Sequence, residues 1–243
     1  KLRNFSRPDH STHLKDDIET EIVDSLILSV TEKFNISKDY YKLKAKLLGL
    51  NKLEYHERNI EYGQIDKEYN LKESLKLIDK TFSGLDLEFL KIFRNFVAEK
   101  RVDFLPKKGK RNGAFCVWWS PSKPVYLLLN HTNKLNDVLT FAHELGHGIN
   151  AELSKKQNSL NFNTPISTTE VASTFFEDFV LEELLKNAHD ELKLAILMQK
   201  LNDNVTTIFR QVACYNFEKE LHNEFRKKGY LSKDEIGEIF RKN

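Results

Sequence analysis

The sequence predicts a mostly α-helical fold with one small β-hairpin, and three observations support this prediction. Apolar residues recur at three- and four-residue spacing over most of the 243 residues, as in helices that pack on a core. Between Val102 and Asn133 this period gives way to short β-branched and aromatic runs separated by serine and proline. Apolar side chains form 40% of the chain, which is enough for a hydrophobic core.

Residues 1–101 are predicted to be a helical region. Asp16–Leu50 has the apolar pattern of two helices, and a looser stretch over Asn51–Tyr69 follows it. Two more helices are predicted over Leu71–Thr81 and Leu85–Lys100, because each carries its apolar residues along one side.

Residues 102–243 are predicted to hold the hairpin and then long helices. The strands fall at Gly113–Trp119 and Val125–Asn130. Helical periodicity returns in four segments: Asn136–Leu153, Ser167–Asn187, Glu191–Lys227 and Ser232–Arg241. The chain starts without Met and ends in a charged helical pattern, so we expect it to be a fragment of one larger domain.

Charge and cysteine content exclude several classes of partner. The 38 basic and 36 acidic residues leave a formal charge of +2, which gives no general attraction to nucleic acid or membranes. Cys116 and Cys214 lie far apart, so neither a disulfide framework nor a zinc ribbon is indicated. No apolar run approaches the ~20 residues that span a bilayer, and the amino terminus is polar. We therefore expect a cytoplasmic protein.

The stretch 141–148 contains the pattern H-E-x-x-H inside a predicted helix. Residues four apart project from one helical face, so His143 and His147 can both offer a ring nitrogen to one ion. Glu144 lies beside that face, where a carboxylate can act as a general base. The pattern predicts one zinc ion per chain. His131 precedes this helix and is left unassigned, because a lone histidine in a turn is commonly solvated.

The predicted zinc helix has an apolar face opposite the two histidines. Phe141, Leu145 and Ile149 belong to this face, so one side is expected to pack and the other to bind. Gly146 and Gly148 each weaken a helix by roughly 1 kcal/mol, which suggests that another group approaches the backbone closely. A substrate or a second helix would fit this description.

A catalytic zinc ion usually has three protein ligands and one open position. Glu170 is the best candidate for the third ligand, because it stands near the start of the next helical segment. Ser167-x-x-Glu170 is also a capping box, in which Glu170 would bond the start of its own helix. Periodicity alone leaves both interpretations open.

The segments 142–148 and 169–177 together resemble the oligoendopeptidase F branch of the thimet oligopeptidase family. Residues 111–115 and 126–130 resemble the stretch before the zinc helix there, so the similarity covers roughly residues 40 to 240. The resemblance implies that Glu170 is the third zinc ligand. It also implies a helical zincin-type catalytic domain with a deep channel that hydrolyses short peptides. The resemblance implies that family members are longer, with oxyanion-stabilising residues in a carboxy-terminal segment that we expect to lie outside these 243 residues.

Further site residues are predicted around this centre. Glu177 lies seven residues after Glu170 and returns to the same helical face, where it can orient a histidine ligand. Gly113, Ala114 and Phe115 offer a strand edge with which an extended peptide can pair. The aromatic residues of the hairpin can line a peptide groove, although such residues more often pack on a core; they are Trp118, Trp119 and Tyr126.

We therefore expect a zinc metallopeptidase that acts on short peptides. The alternatives are a zinc-binding fragment without catalysis and a peptide-binding module, since oxyanion donors are expected to lie outside this chain.

Overall fold

The computed structural model describes residues 4–63, 67–186 and 188–243, and it confirms the mostly α-helical fold with a small sheet. Parts of the predicted polar amino terminus, of the looser stretch and of the Ser167–Asn187 helix fall outside these residues. Within the described ranges, no helix is both long enough and apolar enough to cross a membrane.

The described helices before the sheet are α1 (His10–Lys15), α2 (Thr20–Thr31), α3 (Phe34–Leu47), α4 (Leu71–Leu85) and α5 (Leu87–Ala98). The strands are β1 (Val102–Asp103), β2 (Phe115–Val117) and β3 (Tyr126–Leu128). The helices after the sheet are α6 (Leu135–Ser154), α7 (Ile166–Lys186), α8 (Asp190–Val205), α9 (Gln211–Lys228) and α10 (Lys233–Lys242). A π-helical segment, Thr206–Arg210, separates α8 from α9 where one continuous helix was predicted.

The three described strands form one sheet in the order β1-β3-β2. β2 and β3 pair antiparallel, with Cys116 opposite Leu127, as the hairpin prediction requires. β1 pairs parallel with β3 and was not predicted, because a two-residue strand is too short to show an alternating pattern. β2 therefore lies at one edge of the sheet.

The chain divides into two compact units, which we call the terminal unit (residues 1–64 and 194–243) and the central unit (residues 65–193). The predicted division between residues 101 and 102 differs from this one. The two divisions differ because aromatic side chains pack across residues 101 and 102. The ring centroids of Phe82 in α4 and Phe176 in α7 are 5.1 Å apart. Those of Phe93 in α5 and Phe141 in α6 are 6.2 Å apart. These contacts join the helices that precede the sheet in the sequence and those that follow it into one core.

Asp86 explains why α4 and α5 are separate helices. It ends α4, and its Oδ1 accepts hydrogen bonds from the backbone N–H groups of Glu88 and Phe89 at the start of α5. The predicted boundaries were displaced by a few residues, because the apolar pattern runs through this capping residue.

The terminal unit has a smaller core formed by Tyr40, Met198 and Val205. Lys44 is buried beside this core, and its ammonium group donates to the backbone carbonyl of Arg58 at 2.6 Å and to Asn202 Oδ1 at 2.8 Å. These two bonds compensate part of the cost of burying a cation.

Candidate metal centre

Helix α6 carries the H-E-x-x-H pattern, and its start is fixed by Asp137. The Asp137 carboxylate accepts hydrogen bonds from the backbone N–H groups of Thr132 and Lys134 at 2.7 and 2.9 Å. Further along the helix, His143 and His147 project side by side, with ring centroids 5.0 Å apart and ring planes at 85°. The helix therefore brings both imidazoles to one place, as the spacing predicts.

Helix α7 covers the histidine face of α6, and Gly146 makes this contact possible. A Cβ atom at Gly146 would lie 2.7 Å from the Cα of Ser173 and 2.8 Å from the carbonyl oxygen of Ala172, both backbone atoms of α7. At Gly148 the neighbour is the Phe96 ring, 2.9 Å from such a Cβ. A second helix and a core side chain are thus the groups that approach these glycines.

His147 is buried, although it lies on the face of α6 that is expected to bind. Only 9% of His147 is exposed, since α7 crosses directly over its turn of the helix. His143 is half-buried and lies nearer the open side. The candidate site therefore lies between two packed helices, α6 and α7.

Glu170 of α7 faces both histidines. Its Oε2 lies 3.4 Å from Nε2 of His143, and its Oε1 lies 3.6 Å from Nε2 of His147. One ligand atom from each of the three residues fits within 4.8 Å of the others. Two imidazole nitrogens and one carboxylate are a donor set that suits zinc, so the residues present fit the ion that the sequence predicts.

The capping interpretation of Glu170 does not match the helix start. α7 begins at Ile166, so Ser167 lies inside the helix, and the carbonyl of Pro165 accepts the first backbone bonds. Glu170 Oε2 instead accepts a hydrogen bond from Ser173 Oγ at 2.9 Å, which holds the carboxylate toward the histidines.

Glu177 lies behind His143. Its Oε2 is 3.3 Å from Nδ1 of His143, on the side of the ring away from Glu170. This hydrogen bond raises the pKa of His143, and it favours the tautomer with the proton on Nδ1 and a free lone pair on Nε2. The structure therefore places Glu177 where the sequence predicts it.

Glu144 is buried beside the histidines, with 8% of the residue exposed. Burial raises the pKa of Glu144, while the neighbouring His143 acts in the opposite direction. A carboxylate whose pKa is raised toward neutrality is better suited to accept and return a proton.

The predicted peptide-binding residues Gly113, Ala114 and Phe115 lie at and just before the start of β2, the edge strand of the described sheet. The side chain of Asn130 donates hydrogen bonds to the carbonyls of Arg111 and Gly113 at 2.9 and 2.8 Å, which shapes the approach to this strand. Their role in substrate binding stays a prediction.

The sequence predicted neither the contact that Trp118 makes nor the burial of His131. Trp118, just after β2, stacks on the His147 ring, a contact that no local pattern encodes. His131 was expected to be solvated, and this was wrong: it is 3% exposed, with Nε2 3.0 Å from Ser74 Oγ. Burial lowers the pKa of His131.

The fold and this cluster define a class of helical proteins in which an H-E-x-x-H helix meets a glutamate from the following helix. A sequence profile of Peptidase family M3 matches residues 1–242, and the chain belongs to this family. The resemblance to oligoendopeptidase F is thereby confirmed at the level of the family.

Individual relatives agree with this assignment. The chain is 30% identical over 246 residues to an oligoendopeptidase F homolog of Borreliella burgdorferi, which covers 99% of this chain and 41% of that protein. It is also 30% identical over 213 residues to oligopeptidase PepF of Bacillus subtilis, covering 85% of this chain and 31% of that relative. A crystal structure from Chlamydophila abortus matches with a TM-score of 0.82 and 26% identity, over 99% of this chain and 40% of that one. The chain thus spans well under half of these proteins.

Proposed function

We propose that this chain forms the zinc-binding part of a metallopeptidase that cleaves short peptides. The observation that carries the proposal is the convergence of His143, His147 and Glu170 within 4.8 Å, with Glu144 buried beside them. The names of the relatives, oligoendopeptidase F and oligopeptidase, support peptides as the substrate class.

The three converging residues would hold one zinc ion per chain. Zinc in such a site supplies a Lewis acid that polarises a peptide carbonyl and lowers the pKa of water to about 7. Glu177 keeps the proton of His143 on Nδ1, so that Nε2 of this ring faces the cluster. The 48% exposed side chain of Glu170 leaves this side of the cluster accessible to a substrate.

Glu144 would carry the proton transfers. Its carboxylate accepts a proton from the attacking water and then donates it to the amine of the departing peptide. Because burial raises the pKa of Glu144, both the uptake and the return of the proton become easier near neutral pH. The edge of β2 would align an extended peptide by backbone hydrogen bonds, which suits a broad range of sequences.

Peptide cleavage by the zinc-loaded 243-residue chain and its Glu144→Gln variant tests this function. Glu144→Gln keeps the three ligands, so we expect unchanged zinc content and a rate of hydrolysis of a quenched fluorescent peptide that is lower by about 10²- to 10⁴-fold. Equal rates in the two proteins would remove Glu144 from the mechanism. Bound zinc without cleavage in the parent would favour the alternative of a zinc-binding fragment that lacks catalysis.

A further inference from the structure

The two histidines of the cluster are held in different ways. Nδ1 of His143 bonds Glu177 at 3.3 Å, whereas Nδ1 of His147 is buried without a hydrogen-bond partner among the described residues. A histidine that binds a metal through one nitrogen almost always donates from the other, because this bond fixes the ring orientation. His147 therefore needs another means of orientation.

Trp118 lies where it can provide this orientation. Its indole stacks on the His147 imidazole, with ring centroids 6.3 Å apart and planes inclined by 29°. The His143 ring meets His147 edge-on, at 5.0 Å and 85°. The imidazole is thus bounded by one aromatic ring on its face and another nearly perpendicular to it, and both contacts limit its rotation.

The backbone of Thr169 is the competing support for His147. It tends to raise the pKa of this ring, against the larger lowering effect of burial. It does not reach hydrogen-bond geometry with Nδ1, which is why that atom stays unpaired in the described structure. Two supports of the His147 ring are therefore to be distinguished by experiment, the Trp118 indole and the Thr169 backbone.

We propose that Trp118 is a positioning residue that orients the His147 ring for metal binding, as Glu177 does for His143. This inference rests on the proposed metal site. An aromatic pair contributes enough to change an equilibrium by about 3- to 10-fold, so a loss of this size in metal affinity is expected when the indole is removed. The tryptophan acts through His147 and needs no contact with the ion.

The chain offers a matched control, because its only two tryptophans are neighbours. Trp118 is half-buried on the cluster, whereas Trp119 is 55% exposed. The parent, Trp118→Ala, Trp118→Phe and Trp119→Ala are titrated with Co²⁺, and both the dissociation constant and the visible absorption spectrum of the bound Co²⁺ are recorded. Circular dichroism of the metal-free proteins confirms that each variant is folded.

We expect Trp118→Ala to weaken Co²⁺ binding by about 3- to 10-fold and to shift the absorption spectrum, since the geometry of one ligand is relaxed. Trp118→Phe restores most of both properties because it keeps a stacking ring, and Trp119→Ala matches the parent. Parent-like affinity and spectrum in Trp118→Ala would overturn the positioning role and leave Thr169 as the support of His147. Failure of the parent itself to bind Co²⁺ would overturn the proposed metal site and the role of Trp118 with it.

Discussion

The central and terminal units differ in how completely they bury their apolar side chains. Almost all of the largest fully buried side chains described, among them Phe82, Phe96 and Phe141, belong to the central unit, and Ile196 is the exception. In the terminal unit Leu28 of α2 is 60% exposed, and an apolar cavity of about 430 Å³ lies beside residues that include Phe209. The dense packing thus surrounds the candidate metal site, whose residues need fixed distances between two helices.

The largest difference between the units is expected when a side chain is deleted from each and the free energy of unfolding is measured. Phe96→Ala removes a fully buried ring that lies against the Arg101 guanidinium at 4.1 Å and beside Gly148. We expect a loss of about 3–5 kcal/mol in the free energy of unfolding, measured by urea denaturation. Leu28→Ala, the control in the terminal unit, should change it by only about 0.5 kcal/mol. Similar losses in the two variants would end the comparison.

The next effect concerns the contact between α6 and α7. Gly146→Ala places a Cβ atom against backbone atoms of α7, which can move only if the helix moves with them. We therefore expect a loss of about 1–3 kcal/mol in the free energy of unfolding. Metal binding should weaken as well, because the two helices carry the candidate ligands. Gly84→Ala in α4 is the matched control, because its Cβ meets nothing within 4 Å and its better helix propensity should add up to about 1 kcal/mol. A stabilised Gly146→Ala protein would show that the two helices are not in close contact.

A smaller effect is predicted for Glu177→Gln, which weakens the hydrogen bond to His143 and leaves the fold intact. We expect zinc affinity to fall by about 10- to 100-fold, as measured by competition with a chelator. Glu183→Gln is the control on the same helix, since Glu183 pairs with Lys80 and Lys186 and not with the histidines. Unchanged zinc affinity in Glu177→Gln would remove this residue from the site.

The smallest effect expected is a difference between the two units in how the free energy of unfolding depends on pH. Burial lowers the pKa of His131 in the central unit, so the folded state resists protonation while the unfolded chain takes up a proton near pH 6.5. The stability from neutral His131 is present above about pH 6.5 and is lost as the pH falls through the folded pKa. In the terminal unit, the hydrogen bond from Arg7 holds the pKa of Asp9 well below its usual range, so its contribution is lost only below about pH 4.

The contribution of neutral His131 is measured by comparing two proteins, the parent and His131→Gln. The free energy of unfolding of each is determined at about pH 7.5 and about pH 5.5. The parent should lose more stability on acidification than the variant does. An equal loss in both proteins would mean that His131 is as easily protonated in the folded chain as in the unfolded one.

Local sequence patterns predicted the helices and most of the residues of the candidate metal site. The spacing of His143 and His147 is a property of one helix, so it could be derived without tertiary structure. Glu170 needed the resemblance to a family, because the capping box explained the same residue equally well. The contact of Trp118 with His147, the burial of His131 and the strand β1 were not predicted, since the partners lie far away in the sequence and leave no periodic trace.

Zinc content is the property that distinguishes most sharply between a metal site at His143, His147 and Glu170 and its absence. Elemental analysis would compare the parent chain with His143→Ala and Glu170→Ala, and with His189→Ala as a control outside the cluster. We expect about one zinc ion per chain in the parent and in the control, and loss of zinc in both ligand variants. A parent chain that holds no zinc after the metal is supplied, or a Glu170→Ala chain that retains it fully, would contradict the assignment of this centre.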